Sequence, residues 1–186
     1  MKNYSAAHES RAGEVGEGRL GYPPNHVEAA NRLAWFLGRL DTAYAREAFY
    51  VHLTRDELET ARSFVRRYDA GIIKAYRSGV LLGVAPDEDP LRVCLDYCRT
   101  VNSNIEAFLR DKPRQARVTL ENAKEEFENF WRLVGAQGDL AAALREWDIV
   151  HNASEPRPAP GRLAARPGLS RLARKVGRAV KNFRTS

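Results

Sequence analysis

Ala48-Phe49-Tyr50-Val51-His52-Leu53, followed at once by Thr54-Arg55-Asp56, decides how this chain is read. Aromatic and β-branched residues crowd the run without glycine or proline, which predicts a strand buried on both faces of a parallel sheet. The turn at Thr54-Arg55-Asp56 then opens a helix over about 57–68. Downstream, helical spacing predicts Ile72–Leu82, a loop over Gly83–Pro90 and a long helix over Leu91–Arg110 that Lys112-Pro113 ends. Ala116-Arg117-Val118-Thr119-Leu120 reads as a second buried strand, with helices to follow over 123–134 and 140–147.

Upstream the signals are weaker. Residues 2–7 read as a short strand ending at His8 and Glu9. Residues 10–24 hold four glycines and Pro23-Pro24, the composition of a surface loop. Asn25 is placed as the N-cap of an amphipathic helix reaching Leu40, with Glu28 three residues on and Val27, Ala30, Leu33, Ala34 and Leu37 at helical spacing. Strands alternating with helices predict an α/β fold, a parallel central sheet flanked by helices, with ligands beyond the carboxyl ends of the strands. That rule collects Glu9, Arg55 and the residues after Leu120 at one edge.

With 186 residues the chain has room for one sizeable core. No apolar stretch approaches the roughly 18 to 20 residues that span a bilayer, and no secretory pattern opens the chain, so a cytoplasmic location is expected. Cys94 and Cys98 sit four apart within a helical pattern, the expectation being packing rather than a metal site or a disulfide. The net charge of +6 is unevenly placed: nine Lys or Arg and no acid follow Pro156, so the first 155 residues carry −3. The division expected is an α/β domain over 1–154, a flexible linker over 155–167 and a basic amphipathic helix over 168–186. In that last segment Leu169, Leu172, Val176, Val180 and Phe183 recur at helical spacing among Arg171, Arg174, Lys175, Arg178 and Lys181. Such a helix packs on its own domain, binds an acidic partner or lies at the inner membrane surface. Nucleic acid is not expected as a partner, and the oligomeric state is not legible.

The chemistry-bearing pattern is an arginine at a strand's end with a serine eight residues later, Arg55 and Ser63. A guanidinium fork, a hydroxyl and a helix N-terminus together suit a phosphate. The alternative is a surface arginine paired with Asp56 or Glu59. The stretch from Tyr50 to Ser63, with the helix over 94–110, the strand Arg117–Glu121 and the segment Phe127–Gly135, resembles the sulfotransferase family, across about residues 1–153. The resemblance implies a P-loop-type fold, with Arg55 and Ser63 on the 3′-phosphate of 3′-phosphoadenosine 5′-phosphosulfate and no metal. It also implies Glu9 as the base that takes the acceptor hydroxyl's proton, with His8 orienting or replacing it. Lys74, Tyr76 and Arg77 follow the phosphate-site helix as candidates for an anionic acceptor or the sulfuryl group, or as an ordinary helix face. His151 to Ser154 matches loosely the family's late loop over the nucleotide. The acceptor implied is a hydroxyl of a carbohydrate or glycolipid.

One family element is missing. No strand and Gly/Ser/Thr-rich turn for the 5′-phosphosulfate precedes Tyr4, and the glycines at 13, 16, 18 and 21 lie among acids ahead of Pro23-Pro24. An internal start at Met1, a partner chain that supplies the element, or lost activity would each account for this. The rival reading is therefore a catalytically inactive adaptor that binds membrane or an acidic partner through its C-terminal helix.

Overall fold

The computed structural model describes residues 1–149. The architecture is α/β, with small parallel sheets flanked by helices. Two sheets of two strands replace the single central sheet expected. In the first, β1 (Ser5–His8) runs parallel to β2 (His26–Ala29), Ser5 opposite His26 and Ala7 opposite Glu28. In the second, β3 (Tyr50–Thr54) runs parallel to β4 (Gln115–Thr119), His52 opposite Arg117 and Leu53 opposite Val118. The linker and helix expected over 155–186 lie outside the described residues.

The amphipathic helix expected over 25–40 is corrected. Asn25 takes a left-handed φ of 53°, which a helix N-cap does not. After it come β2, a 3₁₀ turn over Asn31–Trp35, and only then a helix, α1 (Leu37–Tyr44). Glu28 thus serves no capping box; it bonds Ser10 across the sheet. The strand expected over 2–7 is shorter and shifted toward Glu9.

The helices after β3 follow the sequence closely. They are α2 (Glu57–Val65), α3 (Gly71–Ala75), α4 (Pro90–Leu109), α5 (Ala123–Leu133) and α6 (Leu140–Arg145). Asp56 caps α2 by accepting from Glu59 N at 2.8 Å, and Asp89 caps α4 with Pro90 behind it. The continuous helix expected over 72–82 is interrupted: α3 passes into a π turn over Tyr76–Val80, closed by Leu81 N donating to Tyr76 O at 3.0 Å.

The core sits where α2, α3 and α4 meet. Ala61, Ile73, Tyr76, Val93, Cys94, Tyr97 and Cys98 are buried together there. Phe64 and Tyr76 each meet the Tyr97 ring edge-on, with centroids 5.2 Å apart. Cys94 and Cys98 are free thiols in this core, and burial pushes each up to about 11. Lys112, also buried, ties α1 to the loop after α4 by ion pairs to Asp41 at 2.9 Å and Asp111 at 3.0 Å. Among the described residues no helix is long and apolar enough to cross a membrane.

Candidate functional site

Strand alternation organises the end of the first sheet. Ser5 and His26 share a face with Ala7 and Glu28, and the small Ala7 leaves room beside Glu28. The Glu28 carboxylate accepts from Ser10 N at 2.8 Å and Ser10 Oγ at 2.7 Å. His26 Nε2 lies 3.1 Å from Glu28 Oε2, and His26 Nδ1 lies 2.8 Å from Ser5 Oγ. Burial raises the Glu28 carboxyl, but the hydrogen bonds from Ser10 and His26 outweigh it, and the net result lies below the usual glutamate range. Glu28 is therefore an ionised anchor for the residue that follows Glu9.

Glu9 follows β1 with a φ of 49°, a left-handed conformation that a non-glycine residue holds only under local constraint. The bidentate grip of Glu28 on Ser10 supplies that constraint, and Arg32 holds the Glu9 side chain through an ion pair. Around them Arg11 lies 5.9 Å from the Tyr22 ring centroid and Arg19 lies 4.6 Å from that of Phe36. Both guanidiniums also donate to carbonyls, Arg11 to Gly18 O and Arg19 to Ala12 O. The cleft these groups line holds about 10 Å³, room for a water.

His8, the second catalytic candidate, is exposed at the end of β1 and forms no hydrogen bond to Glu9. Arg32 and Glu28 were not picked out as site residues in the sequence, since a helix over 25–40 assigns Glu28 to its capping box and Arg32, one turn on, to a solvated face. The polar-apolar alternation His26-Val27-Glu28 was the available signal.

At the second sheet Arg55 leaves the carboxyl end of β3, exposed, with α2 beginning two residues later. Before it, Thr54 Oγ1 is buried without a hydrogen-bond partner among the described residues. Asp56 N donates to Glu121 Oε1 at 2.9 Å, so the ends of β3 and β4 share an edge, whereas Glu9, expected at the same edge, follows a strand of the other sheet. That backbone bond, joined by the nearby Arg55 charge, holds the Glu121 carboxyl below the usual range. The α2 N-terminus is strongly acidic: Asp56 caps it, and Glu57 and Glu59 stand in its first turn, paired with Arg99 at 2.8 Å and Arg62 at 2.7 Å. Ser63 lies in the second turn of α2, half-buried, roughly 10 Å of helix rise from the cap. No hydrogen bond or ion pair among the described residues joins Arg55 to Ser63 or either to Glu9.

The acceptor candidates separate. Lys74 is exposed on α3. Tyr76 is corrected: it is buried at 2% exposure, its hydroxyl donating to Asp96 at 2.5 Å, and so belongs to the core rather than to an acceptor. Arg77 pairs with Asp69 at 2.9 Å and lies over the Tyr68 ring at 4.1 Å, which leaves part of its fork engaged.

Among the described residues no group of three or more His, Cys, Asp or Glu is placed to hold a metal ion. Compared with family models, curated proteins and solved structures, the chain matches none.

Proposed function

We propose that the chain is a sulfotransferase-like protein that takes part in moving a sulfuryl group from 3′-phosphoadenosine 5′-phosphosulfate to a hydroxyl of a carbohydrate or glycolipid. The observation that carries the reading is the β3–α2 unit: a parallel strand, an exposed arginine at its carboxyl end, and a helix that starts two residues later. The orphaned Thr54 hydroxyl beside Arg55 adds a polar atom with capacity to spare. Arg55 and Ser63 would hold the 3′-phosphate. Glu9 would take the acceptor's proton as its oxygen bonds to sulfur, while the bond from sulfur to the 5′-phosphate oxygen breaks and adenosine 3′,5′-bisphosphate departs. His8 would assist Glu9, and the exposed Lys74 with the partly engaged Arg77 would meet the acceptor. A cytoplasmic site of action, at the inner membrane surface through 168–186, would suit a lipid-linked acceptor.

The test is calorimetry with adenosine 3′,5′-bisphosphate. Arg55→Ala should weaken binding by about tenfold or more, the worth of a charged hydrogen bond. In a preparation with transfer activity, Glu9→Gln should lower turnover by on the order of 10²-fold. Binding that ignores the Arg55 change removes this site.

A second reading has its own support. Asp56, Glu57, Glu59 and Glu121 crowd the α2 N-terminus with negative charge, which opposes a phosphate dianion there. This favours an adaptor without catalysis, attached to membrane or an acidic partner through 168–186. Anionic vesicles that bind the full chain but not one lacking 168–186, together with no heat from the nucleotide, would select it.

A further inference from the structure

The face of the β3–β4 ribbon opposite Val51 and Leu53 carries His52 and, on β4, Gln115 and Arg117. α4 and its C-cap carry Asn102, Glu106 and Arg110 four residues apart, hence along one stripe. Asn102 joins the two rows, its Oδ1 lying 3.2 Å from His52 Nε2. Toward the C-terminal end of α4 the rows do not close. Between them lies a cavity of about 180 Å³ walled by His52, Glu106, Arg110, Gln115 and Arg117.

The polar wall has an unusual balance. His52 is 6% exposed. An amide oxygen only accepts, so Nε2 carries the proton and Nδ1 is left as an acceptor, with no partner among the described residues. Burial pushes the imidazole below its usual range, and the Arg117 and Glu106 charges both reach it, in opposite senses. The Gln115 amide nitrogen is already spent, donating at 2.8 Å to both Leu109 O and Lys112 O, which leaves its Oε1 as a second neutral acceptor. Glu106, Arg110 and Arg117 make no ion pair within 4 Å among the described residues, although Glu106 and Arg110 stand one helical turn apart. The wall therefore offers two cations, one anion and two neutral acceptors, His52 Nδ1 and Gln115 Oε1.

We propose that this cavity binds a small zwitterion of the α-amino acid class, its carboxylate on Arg117 and Arg110 and its ammonium between Glu106 and His52 Nδ1. A cavity of about 150 Å³ takes a benzene-sized guest, so the ligand has roughly six to eight non-hydrogen atoms. Glu106 repels a simple anion, and the two arginines repel a simple cation; only a ligand with both signs answers the whole wall. The site is independent of the sulfuryl-transfer reading.

The experiment follows the His52 imidazole by NMR in the full chain, its signal assigned by loss in His52→Gln. Three probes are titrated: L-serine, ethanolamine, which lacks the carboxylate, and 3-hydroxypropionate, which lacks the ammonium. L-serine should bind at least tenfold tighter than either fragment. Arg117→Gln should erase the preference over ethanolamine, and Glu106→Gln the preference over 3-hydroxypropionate. Both residues are exposed, so neither change threatens folding. No shift at His52 with L-serine at on the order of 10 mM, the weak end of small-molecule affinity, overturns the proposal. Equal response to all three probes, or selectivity that survives both substitutions, overturns it as well.

Discussion

The helical layer of α2, α3 and α4 and the β3–β4 ribbon handle apolar residues in opposite ways. In the layer Ala61 and Cys94 are wholly buried and Ile73 is 1% exposed. On the ribbon Val51 is 42% exposed and Leu53 57%, although both were read as buried on a two-sided sheet. The reason is coverage. α5 packs against β4, and Val118, the register partner of Leu53, is buried, while the same face of β3 stays open. Cohesion thus comes from helix packing, and the strands serve more to present side chains at their ends and on their faces.

This contrast can be broken most directly at Ile73. Ile73→Ala should cost about 3 kcal/mol, because the surrounding rings of the core leave a cavity that cannot collapse fully, and urea melting would read it. A loss below about 1 kcal/mol would mean the layer is loosely packed. A smaller effect is expected at His52, which faces Asn102 and Glu106 from α4 and Arg117 from β4. Its folded pKa lies below the ordinary 6.5 through burial, so its neutral form favours folding above that value, and this contribution is lost as pH falls through the folded pKa. Between pH 7 and pH 5 the urea midpoint should therefore fall further in the wild type than in His52→Gln. Least of all, Leu53→Ser should change stability by no more than about 0.5 kcal/mol, since the side chain already faces water. A large loss there would show that something covers the open face.

Legibility in the sequence followed the range of the forces involved. α4 announced itself through a local period, and β3 through its run of Phe, Tyr, Val and Leu. β2 did not, because its four residues are extended only by pairing with β1, Ser5 to His26 across 21 positions. Val27, Ala30, Leu33 and Leu37 fit a helical period by coincidence, and a left-handed Asn25 cannot be seen in composition. Of the candidate site, Glu9 and Arg55 were placed correctly at strand ends, whereas Glu28 and Arg32 were hidden by the misread helix. Tyr76 was drawn to an acceptor by its basic neighbours, yet its ring is apolar enough to fill the core and Asp96 answers its hydroxyl.

The π turn after α3 gives the chain a residue of slack. In a regular α-helix Tyr76 and Leu81 would point about 140° apart. The wider turn brings Leu81 against the cluster that buries Tyr76. Removing one residue from 77–80 would therefore restore ordinary helical pitch at the expense of phase, and the chain would enter Gly83–Pro90 from the wrong side of the helix. A deletion scan across this segment should thus be far less tolerant than its exposed Ser78 and Gly79 imply.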